Sequence, residues 1–388
     1  MKIENSKLIR RVCFFILFIL SIPVLISAQD FKTVQDGIEY AELEREVDKL
    51  PVKMNLLRLD LTKVRLDVVH AMDAAIGLEK TSSIAARYGA LAAINAGFFR
   101  IDRSIFEGDD VSNLQIDGKV LSESLSNRIA LFIANSPTRT TVGINHLNLI
   151  GVLAVNKQPF DAPGINRERR ENDLVVYTPE FHRTTLTDPK GIEIVVQNGK
   201  ITGILDGRGS SKIPADGFVI SASGKRREEV LAKAKIGAKA SFMFTQVNFG
   251  NGLSDNPEGF APSILNTEDI VSGVPLLVLN GKVKITWEQE KSSKAFVETR
   301  HPRTAVAKLK DGKFLMVTVD GRSEQSAGIN LQNLAEILLE LGASDAMNLD
   351  GGGSTTMFLN GKVVNKPSDK EGERRVGDAI LVFPRKKN

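Results

Sequence analysis

Residues 347–357 read Met-Asn-Leu-Asp-Gly-Gly-Gly-Ser-Thr-Thr-Met. An apolar run leads to Asp350, three glycines follow it, and three hydroxyl side chains come next. Glycine loses more backbone freedom on folding than any other residue, so three in succession predict positive φ angles or a closely approaching group. Because a carboxylate precedes the glycines and hydroxyls follow them, we predict a site for a polar ligand. The alternative is a simple hairpin, since Asp-Gly is a hairpin signal, but a hairpin needs only one or two glycines.

Short strands and one amphipathic helix are predicted around this turn. Apolar residues recur at helical spacing over residues 330–341, and Gly342 is suited to end that helix. Asp311-Gly312 lies between two apolar stretches and predicts a hairpin. The strands predicted in this part of the chain are residues 304–309, 314–319, 346–349, 356–359 and 379–383.

The earlier part of the chain is also rich in predicted strands. A hairpin is predicted over residues 54–69, and a short helix capped by Thr81 or Ser82 over 81–88. Asn198-Gly199 predicts a second hairpin, and residues 226–235 predict a helix. The other predicted strands are residues 91–94, 130–134, 142–149, 174–177, 192–197, 200–204, 218–221 and 240–247. The pattern predicts an α+β fold with a mixed, mostly antiparallel β-sheet core and a few packed helices in a single large domain.

The beginning of the sequence resembles a secretory signal. Four basic residues precede an apolar run interrupted by proline, and Ser27-Ala28 leads into polar residues. We therefore predict a signal peptide over residues 1–28, an N-terminal β-hairpin region over 29–80 and a catalytic domain over 81–388. The protein is expected to be exported to the periplasm or the extracellular space, without a stable membrane anchor after cleavage. Cys13 is the only cysteine, so the remaining chain must rely on its core rather than on disulfides.

Composition and motifs exclude several classes of function. The formal net charge is +4, most of it comes from residues 1–28, and no basic tail is present, so a nucleic-acid partner is not expected. The glycines are not followed by Lys-Ser or Lys-Thr as in a nucleotide-binding loop. The Gly-x-Ser-x-Gly pattern of many serine hydrolases does not occur.

Polar clusters follow four apolar strands, and a fifth cluster precedes the last strand. Polar groups at strand ends that meet at one sheet edge commonly form a pocket. Arginine binds phosphate oxygens through paired hydrogen bonds, and glycine-rich backbone offers N–H groups to the same oxygens. The clusters therefore predict an anionic substrate held by arginines next to a bond that is broken with carboxylate assistance. The groups that carry this prediction are Asp320, Asp350, Glu373, Arg303, Arg322, Arg374 and Asn95, with hydroxyls beside glycine backbone.

These segments resemble the signature of the phosphodiester glycosidase family. The matching motifs, in the family's order, are Ile-Asn-Ala-Gly-Phe-Phe at 94–99, Pro-Arg-Thr-Ala at 302–305, Val-Asp-Gly-Arg at 319–322 and Asn-Leu-Asp-Gly-Gly-Gly-Ser at 348–354. Ala96 stands where the family usually has glycine. The resemblance implies hydrolysis of the bond between the anomeric carbon of a sugar and a phosphate oxygen, in an exported glycan or glycoconjugate. The expected partner is thus a phosphorylated glycan or sugar phosphodiester.

The resemblance also implies roles for individual residues. Asp350 is the first choice for nucleophile or general base and Asp320 the second, and Glu373 completes the predicted catalytic carboxylates. The predicted substrate-binding residues are Asn95, Arg303, Thr304, Arg322, Gly351, Gly352, Gly353, Ser354, Thr355 and Arg374.

Two other functions remain open at this stage. One is an envelope carbohydrate-binding protein without turnover, and the other is a metal-dependent phosphodiesterase that cleaves the P–O bond. No cofactor is required by the sequence. A divalent cation is possible, with Asp320 and Asp350 as ligands, although no clustered ligand spacing demands one.

Overall fold

The computed structural model describes residues 30–123, 127–161, 163–246 and 265–385. The predicted signal peptide and residue 247 of a predicted strand lie outside these residues. In chain order the first strands are β1 (Lys32–Gln35), β2 (Ile38–Val47), β3 (Leu50–Leu59), β4 (Val64–His70), β5 (Glu79–Lys80), β6 (Ala92–Asn95), β7 (Leu114–Ile116), β8 (Lys119–Ser122), β9 (Arg128–Asn135), β10 (Thr140–Leu147), β11 (Leu149–Val155), β12 (Gln158–Phe160), β13 (Gly164–Ile165) and β14 (Leu174–Tyr177).

The remaining strands are β15 (Ile192–Gln197), β16 (Lys200–Asp206), β17 (Gly217–Ala222), β18 (Ala240–Gln246), β19 (Asp269–Ser272), β20 (Leu276–Leu279), β21 (Lys282–Val283), β22 (Arg303–Leu309), β23 (Phe314–Val319), β24 (Ala343–Asn348), β25 (Met357–Leu359), β26 (Lys362–Val363), β27 (Arg375–Val376) and β28 (Asp378–Pro384). The helices are α1 (Thr81–Tyr88), α2 (Gly224–Leu231), α3 (Lys294–Glu298) and α4 (Leu331–Glu340), with short 3₁₀ turns at Ala71–Asp73 and Gly352–Ser354. Among the described residues, no helix is both long and apolar enough to cross a membrane.

Two sheets position the candidate site. The larger has eight strands in the order β1-β2-β3-β23-β22-β24-β20-β21. The other has five strands in the order β26-β25-β6-β28-β4. The triple-glycine turn carries the chain from β24 of the first sheet to β25 of the second. The simple hairpin alternative for this turn is therefore excluded, because the strands on its two sides do not pair.

The fold is β-rich and mostly antiparallel, as the sequence predicts, and helices are few. The strand pairs are antiparallel except for β13 with β14. The hairpins predicted at Asp311-Gly312 and Asn198-Gly199 are confirmed as the pairs β22–β23 and β15–β16. The predicted helices at 81–88, 226–235 and 330–341 correspond to α1, α2 and α4.

The predicted hairpin over residues 54–69 is wrong, although both of its strands exist. β3 pairs with β2 and β23 in the eight-stranded sheet, whereas β4 pairs with β28 in the five-stranded sheet. The hairpin of the N-terminal region is instead β2–β3, which turns at Asp48 and Lys49, both with positive φ. Both strands of the predicted hairpin find partners distant in sequence, and short-range turn signals cannot reveal such pairings.

Apolar side chains from both sheets pack into one shared core. Met347 and Val306 of the larger sheet and Ile94 and Ile380 of the smaller one are fully buried in the same cluster. On its other face the larger sheet is covered by α4, which packs against β20 and β24 and buries its leucines in a second apolar cluster. Full burial of such side chains stabilises the fold by about 1.5–3 kcal/mol each. This packing fixes the strand ends from which the candidate site is built.

Candidate active site

Asn95, at the end of β6, joins the strand ends of the two sheets. Its Nδ2 donates to the carbonyl oxygen of Asp350 at 2.7 Å. Its Oδ1 accepts from the Thr304 hydroxyl at 2.7 Å and from the Thr356 N–H at 3.1 Å. The backbone N–H of Asp350 donates in turn to Ala96 at 2.9 Å. Asn95 and Thr304 are both fully buried, and through the hydrogen bond of Asn95 they hold the backbone of Asp350 in place.

The three glycines provide the close approach that the sequence predicts. Gly352 has a φ of +62°, and a Cβ at this position would lie 3.0 Å from Nη2 of Arg322. A Cβ on Gly353 would lie 2.2 Å from Nη2 of Arg374 and 2.3 Å from Oδ1 of Asp369. The absence of side chains thus allows two guanidinium groups to rest on the turn.

Arg322 and Arg374 share one carboxylate. Arg374 donates to both oxygens of Asp369, at 2.7 and 3.1 Å, and Arg322 lies 3.7 Å from the same group. Arg322 also donates to the Ser368 hydroxyl at 3.2 Å, and its side chain is 44% exposed. Two cations thus face the carboxylate of Asp369, and Arg374 also acts on the Asp350 carboxyl at the start of the turn. Arg322 has a φ of 59°, a costly backbone state that is often found at functional sites.

The pKa of the Asp350 carboxyl lies above its usual value but below neutral pH. Burial raises its pKa to about 6, while the Ser354 hydroxyl, the Gly351 N–H and the charge of Arg374 act in the opposite direction. The Gly351 N–H donates to Oδ1 at 2.9 Å. At pH 7 the group is mainly ionised, as a nucleophile or general base requires. The neighbouring hydroxyls of Thr355 and Thr356 are buried and make no hydrogen bond within the described part of the chain.

Arg303 is buried beneath the site rather than exposed in it. Its Nε and Nη2 donate to the carbonyl oxygens of Phe296, Thr299 and Ile329, and only 1% of the residue is exposed. Burial lowers its pKa to about 10. Arg303 and Arg322 both lower the pKa of His301, after burial as the main cause.

Asp320 lies in a different environment from Asp350. Its Oδ1 accepts from the Lys366 N–H at 3.0 Å and from Nδ2 of Asn365 at 3.4 Å. It lines a cavity of about 260 Å³, which Lys53 of β3 and Glu42 of β2 also line and Asp350 does not. Asp350 and Asp320, the two acids ranked first and second in the sequence analysis, thus accept hydrogen bonds from different partners.

Glu373 caps a helix instead of facing Asp350. Its two oxygens accept from the Ser82 N–H at 2.8 Å and from the Ser82 hydroxyl at 2.5 Å, at the start of α1. The predicted cap by the side chain of Thr81 or Ser82 is wrong, because Lys80 occupies the cap position and no side chain there makes the cap hydrogen bond. The Glu373 carboxylate, distant in sequence, therefore accepts hydrogen bonds from the first turn of α1.

The residues present do not fit the divalent cation that the sequence left open. The Asp320 carboxyl accepts from Lys366 and Asn365 whereas the Asp350 carboxyl accepts from Gly351, and the described residues contain no cluster of three or more His, Cys, Asp or Glu side chains arranged to hold a metal.

Two carboxyl groups that the sequence analysis did not single out lie behind Asp350. Asp378 begins β28, next to the end of β6, and its Oδ1 accepts from the Gly97 N–H at 2.7 Å. Asp110 follows in the loop after β6, and its Oδ1 accepts from the Ser112 N–H at 2.7 Å. The sequence around Asp378 shares one feature with that around Asp350, because in both an aspartate stands next to a glycine at the end of a strand. No comparable signal marks Asp110 in the run Gly108-Asp109-Asp110.

Comparison with known proteins agrees with this geometry. A sequence profile described as phosphodiester glycosidase matches residues 190–383, which is half of the chain. The chain belongs to the phosphodiester glycosidase family. Asp350, Arg322, Arg374 and Asp378 of this phosphodiester glycosidase lie inside the matched region, whereas Asp110 precedes it.

Individual relatives of this phosphodiester glycosidase match it over different lengths. The Bos taurus protein named N-acetylglucosamine-1-phosphodiester alpha-N-acetylglucosaminidase is 40% identical over 119 residues, covering 27% of this chain and 22% of the bovine protein. The Mus musculus protein of that name is 31% identical over 199 residues, covering 48% and 36%. A crystal structure of a protein from Synechocystis has 25% identity and a TM-score of 0.76, covering 92% of this chain and 64% of that one. The aligned part is thus 22–36% of the mammalian proteins.

Proposed function

We propose that this protein hydrolyses a sugar-1-phosphodiester by breaking the bond between the anomeric carbon and the phosphate oxygen. Family membership supports the reaction class, and the names of the mammalian relatives support a phosphodiester of an amino sugar as the first substrate to test. One observation carries the proposal. Arg322 and Arg374 share the single carboxylate of Asp369 on the glycine turn that begins at Asp350.

The arginines suit the phosphate. A phosphodiester carries one negative charge and offers oxygens to paired N–H donors, which a guanidinium matches in geometry. A bound phosphate would be contacted by the guanidinium groups of Arg322 and Arg374, in place of part of their contact with Asp369. As the C–O bond breaks, negative charge grows on the departing phosphate, and preorganised cations stabilise that change.

Asp350 suits the carbon side of the bond. In the proposed reaction the anomeric C–O bond breaks, its electron pair leaves with the phosphate, and a water oxygen becomes bonded to the anomeric carbon. Asp350 acts either as the base that receives a proton from this water or as the nucleophile that first bonds to the carbon. A phosphate monoester is a good leaving group, so the demand for an acid to protonate it is smaller than for an ordinary glycoside.

The test is a hydrolysis carried out in oxygen-18 water. The purified protein is incubated with a panel of α-linked sugar-1-phosphodiesters, and the products are analysed by mass spectrometry. The proposal expects the label in the sugar. Label in the phosphate would show P–O cleavage and a phosphodiesterase, and glycan binding without product would show a carbohydrate-binding protein.

We also propose that the reaction takes place outside the cytoplasm. This rests on the signal-like sequence of residues 1–28 alone. Fractionation of cells that express the full chain, with N-terminal sequencing of the recovered protein, tests it. Cleavage near residue 28 and recovery outside the cytoplasm are expected, and an intact cytoplasmic protein would contradict the proposal.

A further inference from the structure

Asp110 and Asp378 converge on one point at Gly97. A Cβ built on Gly97 would lie 2.6 Å from Oδ2 of Asp110 and 2.9 Å from Oδ2 of Asp378, so the two carboxyl groups lie side by side. Both residues are buried, with 6% and 1% of their surface exposed. In the described part of the chain no N–H or hydroxyl group donates to Oδ2 of Asp378, and its hydrogen-bond partner is the carboxyl group of Asp110. Two neighbouring buried carboxyl groups cannot both ionise without a large electrostatic cost.

No neighbouring cation forms an ion pair with Asp110 or Asp378 among the contacts of the described residues. Burial and the charge of Asp378 raise the pKa of Asp110 well above its usual value, and Asp109 adds to the rise. The pKa of Asp378 is raised to about 7, mainly by burial and also by the charge of Asp350, while hydrogen bonds with the Gly97 N–H and with Asp110 act in the opposite direction. The titratable and charged groups facing the pair are Asp109 and Asp350, Arg128 on β9, and His70 on β4 opposite Asp378. Arg128 attracts Asp110, but it donates to the Ser112 hydroxyl instead of to the pair.

A short chain of backbone contacts connects the pair to Asp350. Asp378 accepts from the Gly97 N–H, and the preceding Ala96 accepts through its carbonyl from the N–H of Asp350. Ala96 donates to the carbonyl oxygen of Asp378 at 3.3 Å. Any displacement of Gly97 therefore moves the group that holds the backbone of Asp350.

We propose that Asp110 and Asp378 share a proton and position Asp350 through the Gly97 turn. Loss of the last shared proton leaves two negative charges in contact, which repel each other and displace Gly97, Ala96 and then Asp350. Asp110 and Asp378 are positioning residues in this account. The kinetic part rests on the proposed glycosidase function, whereas the shared proton and the displacement do not.

The first arm of the test needs no substrate. Infrared difference spectra of wild type minus Asp110→Asn and of wild type minus Asp378→Asn are expected to show the C=O stretch of a protonated, buried carboxylic acid at neutral pH. At alkaline pH, hydrogen exchange at residues 95–99 is expected to be faster in wild type than in either variant at the same pH. An asparagine cannot ionise, so neither variant can reach the doubly charged state. Absence of the band, or equal exchange in wild type and both variants, overturns the proposal.

The second arm is kinetic. With a sugar-1-phosphodiester that the wild type hydrolyses, the rate is expected to fall on the alkaline side, and in both asparagine variants this fall shifts to higher pH by about one unit or more. The matched control is Asp269→Asn, which removes a buried carboxyl whose pKa is raised to about 7 by burial and which accepts from the Val68 and Asp117 N–H groups rather than facing the pair. The control is expected to keep the wild-type alkaline limb. If Asp110 and Asp378 had a purely structural role, their variants would lower the rate at every pH without shifting the alkaline side of the profile. That result overturns the positioning role. If no sugar phosphodiester is hydrolysed, the proposed function fails while the first arm still decides this inference.

Discussion

At the scale of single residues, the site depends on how burial is balanced by hydrogen bonds and charge. Desolvation alone would favour the neutral form of Asp350, but a hydroxyl, a backbone N–H and Arg374 keep its pKa near 6. From its motif the sequence ranked Asp350 first and Asp320 second as the reacting acid. Both precede glycine, and the hydrogen bonds that give them different surroundings form only in the folded chain.

The pKa of Asp350 sets the acid side of the activity profile. As pH falls through about 6, Asp350 takes up a proton and can no longer act as nucleophile or base. We expect kcat/KM on a sugar-1-phosphodiester to decline tenfold per pH unit below that value. A profile that stays flat down to pH 4 would show that another group carries the reaction.

Asp369 competes with the substrate for the two arginines. Asp369→Asn removes the carboxylate that Arg374 and Arg322 share, and it keeps the shape of the side chain. We expect tighter binding of inorganic phosphate by calorimetry, by about tenfold, since a charge-assisted contact contributes about 1.5 kcal/mol. Asp345→Asn on β24 is the matched control, because Asp345 lies near Ser344 and Asn280. Weaker phosphate binding by the Asp369 variant would contradict a phosphate role for this turn.

At the scale of elements, local patterns predicted elements well and partners poorly. Helix α4 was predictable because Asn330 caps it, its leucines recur at helical spacing, and Gly342 follows with a φ of +94°. The partners of β3 and β4 were not predictable, because each pairs with a strand more than 250 residues away. The site was hard to predict for the same reason, because Asn95, Asp110 and Asp378 come together only when β6 and β28 pair.

The α1 cap gives a prediction that separates structure from catalysis. Glu373 accepts two hydrogen bonds at the start of α1, and loss of a helix cap usually costs about 1 kcal/mol. We expect Glu373→Ala to lower the free energy of unfolding by about that amount in urea titrations. Its kcat should change far less than that of an Asp350 variant. A loss of turnover without a loss of stability would restore Glu373 to the reaction.

At the scale of the whole molecule, buried acids give the protein a distinctive response to pH. Burial raises the pKa values of Glu123, Asp269 and Asp378 to about 7 and that of Asp109 to about 8. Between their unfolded values near 4 and these folded values, the folded state binds more protons than the unfolded state. Stability must therefore fall as pH rises through this window.

We accordingly expect the melting temperature to be higher at pH 5 than at pH 8. Differential scanning calorimetry across this range checks it, with ionic strength held constant. Asp109→Asn should flatten the decline, because it removes one of the groups that lose a proton. A melting temperature that rises steadily from pH 5 to pH 8 would contradict the burial of these carboxyl groups.

The most direct test of the account compares the two acids that the sequence ranked first and second for the reaction. Asp350→Asn and Asp320→Asn are assayed side by side on a sugar-1-phosphodiester, with circular dichroism to confirm that both are folded. We predict that Asp350→Asn lowers kcat by about 10³-fold or more, and that Asp320→Asn stays within about tenfold of wild type. Full turnover by a folded Asp350→Asn protein would contradict the central claim that hydrolysis takes place at the triple-glycine turn.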